Sequence, residues 1–353
     1  MNKMSRRSFL KSLSFLGLSA ACGLGTSSCT GKGGGGTGKQ LFVYNWPYYI
    51  SDKVIPEFEK EFSVKVIYDN YSSNEELLAK FQAGASGYDL IFPSDYMVTM
   101  MINQKLLETL DHSRIPNIKN LDERFKGLDC DPKNTYSLPY FWGTSGIGVN
   151  TEKIKEKVDS WKILWDEKYK ECISMLDDMR SVAQPALKLL GYSLNSTDKK
   201  HIKEAKDLLL KQKPLIKAYT SDTYVDFLKS GDLWLAQGYS GDVFQVIKEN
   251  KSIQYIIPEE GTEIWVDNMC IPKGAKNKET AELFIDFLMR PEVSAENSNS
   301  TWYANPNIAS KKFIKPEIIN NPGIYPPKEV LDKCEFLKDL GENNILYEEL
   351  YNE

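Results

Sequence analysis

Between Leu41 and Phe92 the chain alternates strand-like and helix-like runs so closely that few folds can accept it. Leu41-Phe42-Val43-Tyr44 is an apolar strand. Ser51 stands where it would cap a helix carrying Ile55, Phe58 and Phe62, and Val64–Tyr68 is a second strand. Ser73-Asn74-Glu75-Glu76 spells a capping box that opens a helix with Leu77, Leu78 and Phe81 on its buried side. Tyr88-Asp89-Leu90-Ile91-Phe92 is a third strand, stopped by Pro93. A helix between two strands carries the chain back to the edge it left, so successive strands run parallel. An α/β sheet is therefore expected. Helical patterns recur at Lys203–Lys211 and Lys278–Met289, the latter stopped by Pro291. No internal repeat and no long linker follows residue 40. Two α/β lobes must then be joined by short strand-like crossings.

The residues before this pattern bear on location. Ser5-Arg6-Arg7-Ser8-Phe9-Leu10-Lys11 precedes a short apolar run, interrupted by Lys11 and several serines. That run is shorter than the ~20 apolar residues a bilayer requires, so it reads as an export signal rather than a span. The spelling resembles the twin-arginine signal, whose cargo crosses the membrane already folded. Small residues stand before Cys22 and Cys29, as in bacterial lipoprotein signals. Cys29 leaves room for a full apolar core, which makes it the expected lipidated residue, with Cys22 as the alternative. Residues 1–28 are thus read as signal and 29–39 as a glycine tether. Gly33-x4-Gly38-Lys39 has P-loop spacing, but Gln40 stands where Ser or Thr should hold magnesium, and no strand precedes it.

Roughly 315 residues remain, enough for two domains or one large one. The whole chain of 353 residues carries a formal charge of −5, and removal of Lys3, Arg6, Arg7 and Lys11 leaves −9. Such acidity does not suit nucleic acid and favours cationic ligands. Cys130, Cys172, Cys270 and Cys334 show no CxxC or zinc spacing, and Cys172 and Cys270 read as buried small hydrophobes. Only His112 and His201 occur, with no HExxH, GxSxG or Cys/His pair. No catalytic residue, metal or cofactor is expected.

In an open α/β sheet, ligands lie beyond the carboxyl ends of the strands. Those ends here pair aromatic residues with carboxylates. Asn45-Trp46-Pro47-Tyr48-Tyr49 follows the first strand, Ser94-Asp95-Tyr96 the third, and Asp177-Asp178 the run Ile173–Leu176. Tyr239-Ser240-Gly241-Asp242, Trp265-Val266-Asp267 and Trp302-Tyr303 come later. An aromatic face attracts a cation by about 0.5–2 kcal/mol, and a carboxylate gives an ammonium group a charge-assisted hydrogen bond. Together they form a box for a slender aliphatic chain with amines at its ends.

Several stretches in order make a resemblance specific. Tyr44-Asn45-Trp46…Tyr49, Tyr88-Asp89-Leu90-Ile91-Phe92-Pro93-Ser94…Tyr96 and Leu138-Pro139-Tyr140-Phe141-Trp142-Gly143 come first, followed by Ser160-Trp161…Leu164-Trp165. Ile264-Trp265-Val266-Asp267 and Tyr303…Pro306-Asn307 complete them. Over nearly all of residues 40–350 the chain resembles the spermidine/putrescine-binding proteins that feed ABC importers. The resemblance implies a type II periplasmic-binding-protein fold, two α/β lobes with crossover hinge strands that close on ligand. The lobes would be 40–148 with 268–313, and 149–267 with 314–353. It also implies partners: a polyamine, the importer's permease and ATPase subunits, and the membrane through a lipid anchor, at its outer face or in the periplasm.

Carried over residue by residue, Trp46, Tyr49, Ser94, Tyr96, Asp178, Trp265, Asp267 and Tyr303 match polyamine-contacting positions, and Tyr239 and Asp242 match the putrescine-preferring branch. Trp161 and Trp165 are expected only to pack, and Trp142 to be structural or hinge-adjacent. The family's glutamate three residues after Asp178 is Ser181 here, and Leu337 stands in the place of a glutamine. Pro47 and Tyr48 replace a small polar and acidic pair. One amine-holding end is thereby altered, with Asp95 or Asp242 as substitutes, and the choice between spermidine and putrescine stays open. The other readings are a different solute such as iron, on Tyr48-Tyr49, and an exported hydrolase using Asp95 and Asp178.

Overall fold

In a computed structural model, residues 39–84 and 87–353 are described. The signal, most of the tether, Cys22 and Cys29 lie outside the described residues. Ten strands form one hydrogen-bonded assembly: β1 Lys39–Asn45, β2 Val64–Asn70, β3 Leu90–Ile91, β4 Ser137–Asn150, β5 Ile173–Met175, β6 Ile216–Tyr219, β7 Leu235–Tyr239, β8 Ile253–Ile256, β9 Glu263–Cys270 and β10 Glu335–Phe336. Their order is β2-β1-β3-β9-β4-β7-β5-β6, with β10 beside β9 and β8 beside β4. β1 runs parallel to β2 and β3, and β5 parallel to β6 and β7, as the strand–helix–strand pattern requires.

β4 and β9 are antiparallel to each other, β9 to β3 and β4 to β7 and β8, and so they join the two parallel groups, while β10 lies parallel to β9. β9 enters between β3 and β4, pairing Cys270 with Ile91 and with Ser137. β4 is long and buried along its whole length. Its first part, Ser137 to Thr144, pairs with β9, and its second part, Ser145 to Val149, pairs with β7. A strand buried on both faces reads as a continuous apolar run, which Leu138-Pro139-Tyr140-Phe141-Trp142 supplies.

Local differences from expectation have physical reasons. Ser51 does not cap the first helix, Val54–Phe62, whose N-cap is Lys53 without a side-chain bond. The Ser51 hydroxyl donates instead to Glu296 at 3.0 Å, tying the turn to the helix Pro291–Thr301. Ser73 does cap Asn74–Gln82, but Glu76 turns back to the Ser72 N–H rather than closing the box on Ser73. The third strand pairs only at Leu90 and Ile91. Pro291 begins a helix as well as following one, because its missing N–H costs nothing at the first helical position. Lys199–Gln212 and Lys278–Leu288 are helical around the expected cores. Trp161 and Trp165 pack, their indole N–H groups donating to the carbonyls of Gly261 and Leu208 at 3.0 Å each. Phe58 is buried edge-on against Phe284, with ring centres 4.6 Å apart, fastening the first helix to Lys278–Leu288. No helix among the described residues is long and apolar enough to cross a membrane.

Candidate functional site

The sheet's strand ends bring the expected residues toward one another from separate parts of the chain. After β1 the backbone turns sharply at Tyr48, whose φ of 55° is unusual for a residue with a side chain. That turn leaves Tyr48 85% exposed and sends Tyr49 into the interior. The two tyrosines therefore do not face one centre, as an iron site built on both would require. Trp46 donates its indole N–H to the Phe92 carbonyl at 2.9 Å and leans on Tyr71.

Asp267 lies at the middle of this arrangement. It is buried on β9, and both carboxylate oxygens accept hydroxyl donors: Tyr49 to Oδ2 at 2.5 Å and Ser94 to Oδ1 at 2.6 Å. Ser94 is itself fixed by Asn74, whose amide donates to its hydroxyl at 3.0 Å and accepts from its N–H at 3.1 Å. Asp95, the next residue, is buried at the first turn of the helix Asp95–Asn103 and accepts from the Tyr96 N–H at 2.8 Å. The Tyr96 hydroxyl donates to Glu75 at 3.1 Å, and its ring reaches the apolar cluster of Val182 and Leu337.

Asp178 caps the helix Met179–Leu189, its Oδ1 accepting from the N–H groups of Arg180 and Ser181 at 3.0 and 2.8 Å. Asp242 accepts the hydroxyls of Tyr224 at 3.0 Å and Tyr303 at 2.5 Å, so it orients Tyr303. The rings form a continuous edge-to-face run. Tyr239 meets Trp265 at 6.2 Å between centroids, Trp265 meets Tyr303 at 5.4 Å, and Tyr303 meets Tyr49 at 5.0 Å. Edge-to-face contacts leave ring faces available to a cation or to methylene groups. Trp265 can lie this close to β4 because its cross-strand partner is Gly143, where a Cβ would stand 2.4 Å from the indole ring.

Two acidic side chains join the site beyond those that the sequence assigns to it. Glu263 is buried on β9 and accepts from the Ser145 hydroxyl at 2.9 Å. Glu75 meets Tyr96 as described. Glu263 could have been found by extending the alternation of Trp265 and Asp267 two residues toward the N-terminus. Among the described residues, Asp95, Asp178, Asp242, Glu263 and Asp267 form no ion pair with any Lys or Arg. Arg180 is the nearby cation, but its guanidinium donates to the Lys338 and Leu194 carbonyls and to Asn195, all at 3.0 Å.

Burial without a counter-ion raises carboxyl pKa values. Desolvation pushes Glu263 up to about 7 and Asp267 up to about 6, against the hydroxyl bonds that oppose it. It also holds Asp95 well above the carboxylate range, helped by the charges of Glu263 and Asp267. At these three acids the folded chain therefore holds more protons than the unfolded chain between about pH 4 and 7. These acids favour folding most below their unfolded values, and that contribution is lost as pH rises through 6 to 7. The ligand-free protein should melt several degrees higher at pH 5 than at pH 8 in scanning calorimetry. A melting temperature that climbs steadily from pH 5 to 8 would contradict the burial of unpaired acids.

Residues 53–326 match the model of a family described as bacterial extracellular solute-binding protein. The chain is 38% identical over 313 residues to the spermidine/putrescine-binding periplasmic protein of Salmonella typhimurium, covering 88% of this chain and 90% of that one. It is 39% identical over 321 residues to the putrescine-binding periplasmic protein SpuD of Pseudomonas aeruginosa, covering 86% and 88%. A solved structure from Listeria monocytogenes, described as a putative spermidine/putrescine ABC transporter, superposes with a TM-score of 0.85 at 39% identity. It covers 89% of this chain and 98% of that one. The two-lobed binding-protein fold expected from the sequence is borne out by that superposition. The chain belongs to the bacterial extracellular solute-binding proteins, alongside the spermidine/putrescine-binding periplasmic proteins.

Proposed function

We propose that the protein captures a linear polyamine, spermidine or putrescine, between two lobes and delivers it unchanged to the permease and ATPase of an ABC importer. The lobes would be residues 40–148 with 268–313 and residues 149–267 with 314–353. Cys29 would carry the lipid that holds the protein at the outer face of the cytoplasmic membrane or in the periplasm. The observation that carries this reading is electrostatic. Asp95, Glu263 and Asp267 are buried, and Asp178 and Asp242 half-buried, at or beside a run of aromatic rings, and none pairs with a Lys or Arg among the described residues. Ionising the buried three without a partner is costly, which is why their carboxyls are held up in pKa, and a cation joining them restores the charged form. A polyamine brings ammonium groups for the acids and methylenes for the rings.

Trp46, Tyr49, Ser94, Tyr96, Asp178, Tyr239, Trp265, Asp267 and Tyr303 would line the ligand, with Asp242 setting Tyr303 and Asp95 ionising at the helix start once an ammonium arrives. Calorimetry with spermidine, putrescine and cadaverine should give a dissociation constant of micromolar or tighter for at least one, about −8 kcal/mol or better. Mass spectrometry of small molecules released from freshly purified, denatured protein should find the same amine. The digested protein should yield a lipid-modified peptide beginning at Cys29. No heat with any of the three amines would overturn the reading of the site, and an unmodified peptide spanning residue 29 would overturn the anchor.

A further inference from the structure

Glu263 occupies the site face of β9. Side chains two apart on a strand point to one side, so Glu263, Trp265 and Asp267 share a face, with the indole between two carboxylates. All three are buried. Glu263 Oε2 is held by the Ser145 hydroxyl, at the point where β4 changes partner from β9 to β7, and Oε1 accepts no hydrogen bond among the described residues. The Trp265 indole N–H is buried and has no hydrogen-bond partner among the described residues.

We propose that Glu263 is a ligand-anchoring residue that makes the site selective for a linear triamine over a diamine. This rests on the polyamine reading of the site. Four residues of strand separate Glu263 from Asp267 by about 13 Å along the backbone. With bonds of ~1.5 Å in a zigzag chain, the end nitrogens of extended spermidine are about 11 Å apart and those of putrescine about 6 Å. A diamine seated on Asp267 and covered by Trp265 ends short of Glu263. A triamine spans the ring and sets one terminal ammonium at each acid.

The groups around Glu263 fit an amine-holding end. Desolvation is the largest influence on its carboxyl, and the Ser145 hydroxyl opposes it. Asp178 and Asp267 add negative charge, which Arg180 partly offsets. Glu263 in turn raises Asp95 and the hydroxyls of Tyr239 and Tyr255. An ammonium arriving there drives the carboxyl to its ionised form, so spermidine binding near pH 7 releases more protons than putrescine binding, which leaves Glu263 without a partner.

The test compares wild type with Glu263→Gln, titrating each with spermidine and with putrescine in two buffers of unlike ionisation heat. Gln keeps the shape and can still accept from Ser145. The expected result is at least a tenfold loss of spermidine affinity, a change under twofold for putrescine, and a proton release with spermidine that exceeds that with putrescine in the wild type but not in the variant. Retained putrescine binding shows that the variant is folded. Equal losses for both amines, or no loss for either, would overturn the assignment of Glu263 while leaving the polyamine function standing. A wild type that binds neither amine would instead overturn the function on which the inference rests.

Discussion

Asp267→Asn should lower polyamine affinity by at least thirtyfold, the largest effect expected of any single isosteric change in the site. Asparagine retains an acceptor for Tyr49 or Ser94, so the local packing survives. What disappears is the negative charge that faces the ligand's ammonium. Leaving a buried ammonium without its partner costs about 2–5 kcal/mol, and the lower part of that range already gives the stated factor. The free protein should fold as well as before, since a carboxyl whose pKa is pushed up to about 6 by burial gains nothing from being charged at pH 8. The competing role is a brace between β9 and the Ser94 turn. In that case the variant would lose melting temperature and bind polyamine normally, and titration together with thermal scans separates the two.

Gly261→Ala should be the most damaging change to stability away from the ligand. Gly261 has φ of +86°, a region alanine enters only under strain, and an added Cβ would stand 2.0 Å from the Lys333 carbonyl oxygen. Both sides of that contact are backbone, so no rotamer change relieves it. The same residue's carbonyl accepts the Trp161 indole, and the next residue's carbonyl accepts the Glu335 N–H at 2.9 Å. Strain and displacement together should cost about 2–5 kcal/mol, roughly 3–8 °C of melting temperature for a folded chain of this size. Because this turn launches β9, a shift there also moves Glu263, Trp265 and Asp267. Saturating spermidine should recover part of the lost melting temperature through mass action. A melting temperature within 2 °C of wild type, a margin of about 1 kcal/mol or less, would show that the turn yields more easily than its geometry implies.

Much of this architecture is legible in the sequence, and the reasons it fades are physical. The parallel groups can be read from Leu41-Phe42-Val43-Tyr44 and Val64–Tyr68 because helices between strands permit little else. β9 cannot be found that way. Its neighbours in the sheet are Ile91 and Ser137, far away along the chain, and nothing local specifies such a partner. Ser51 misleads because a serine before a helix carries the same spelling whether it caps the helix or reaches a distant glutamate. In the site, Trp265 and Asp267 stand out as a strand pair. Glu263 did not, since a glutamate at the start of a strand ordinarily faces water; its burial depends on Ser145, contributed by another strand. Asp178 and Asp242 illustrate a further limit. Residue type marks each as a carboxylate near aromatics, while the division of labour, helix cap for one and tyrosine support for the other, depends on three-dimensional neighbours.

The insertion of β9 between β3 and β4 also constrains biosynthesis. As the chain leaves the ribosome, β1, β2 and β3 can assemble early, but β3 and the first part of β4 share no partner until residues 263–270 arrive. β10 adds its pairing later still, at Glu335 and Phe336. Sheets completed by such distant segments form slowly, and during the wait two apolar strand edges stand open to other chains. A protein built this way gains from finishing its fold in the compartment where it is made, under chaperone cover, before it is moved. Export of folded cargo, the route expected of a twin-arginine signal at Arg6-Arg7, would suit a strand order in which one of the last segments synthesised becomes the centre of the sheet.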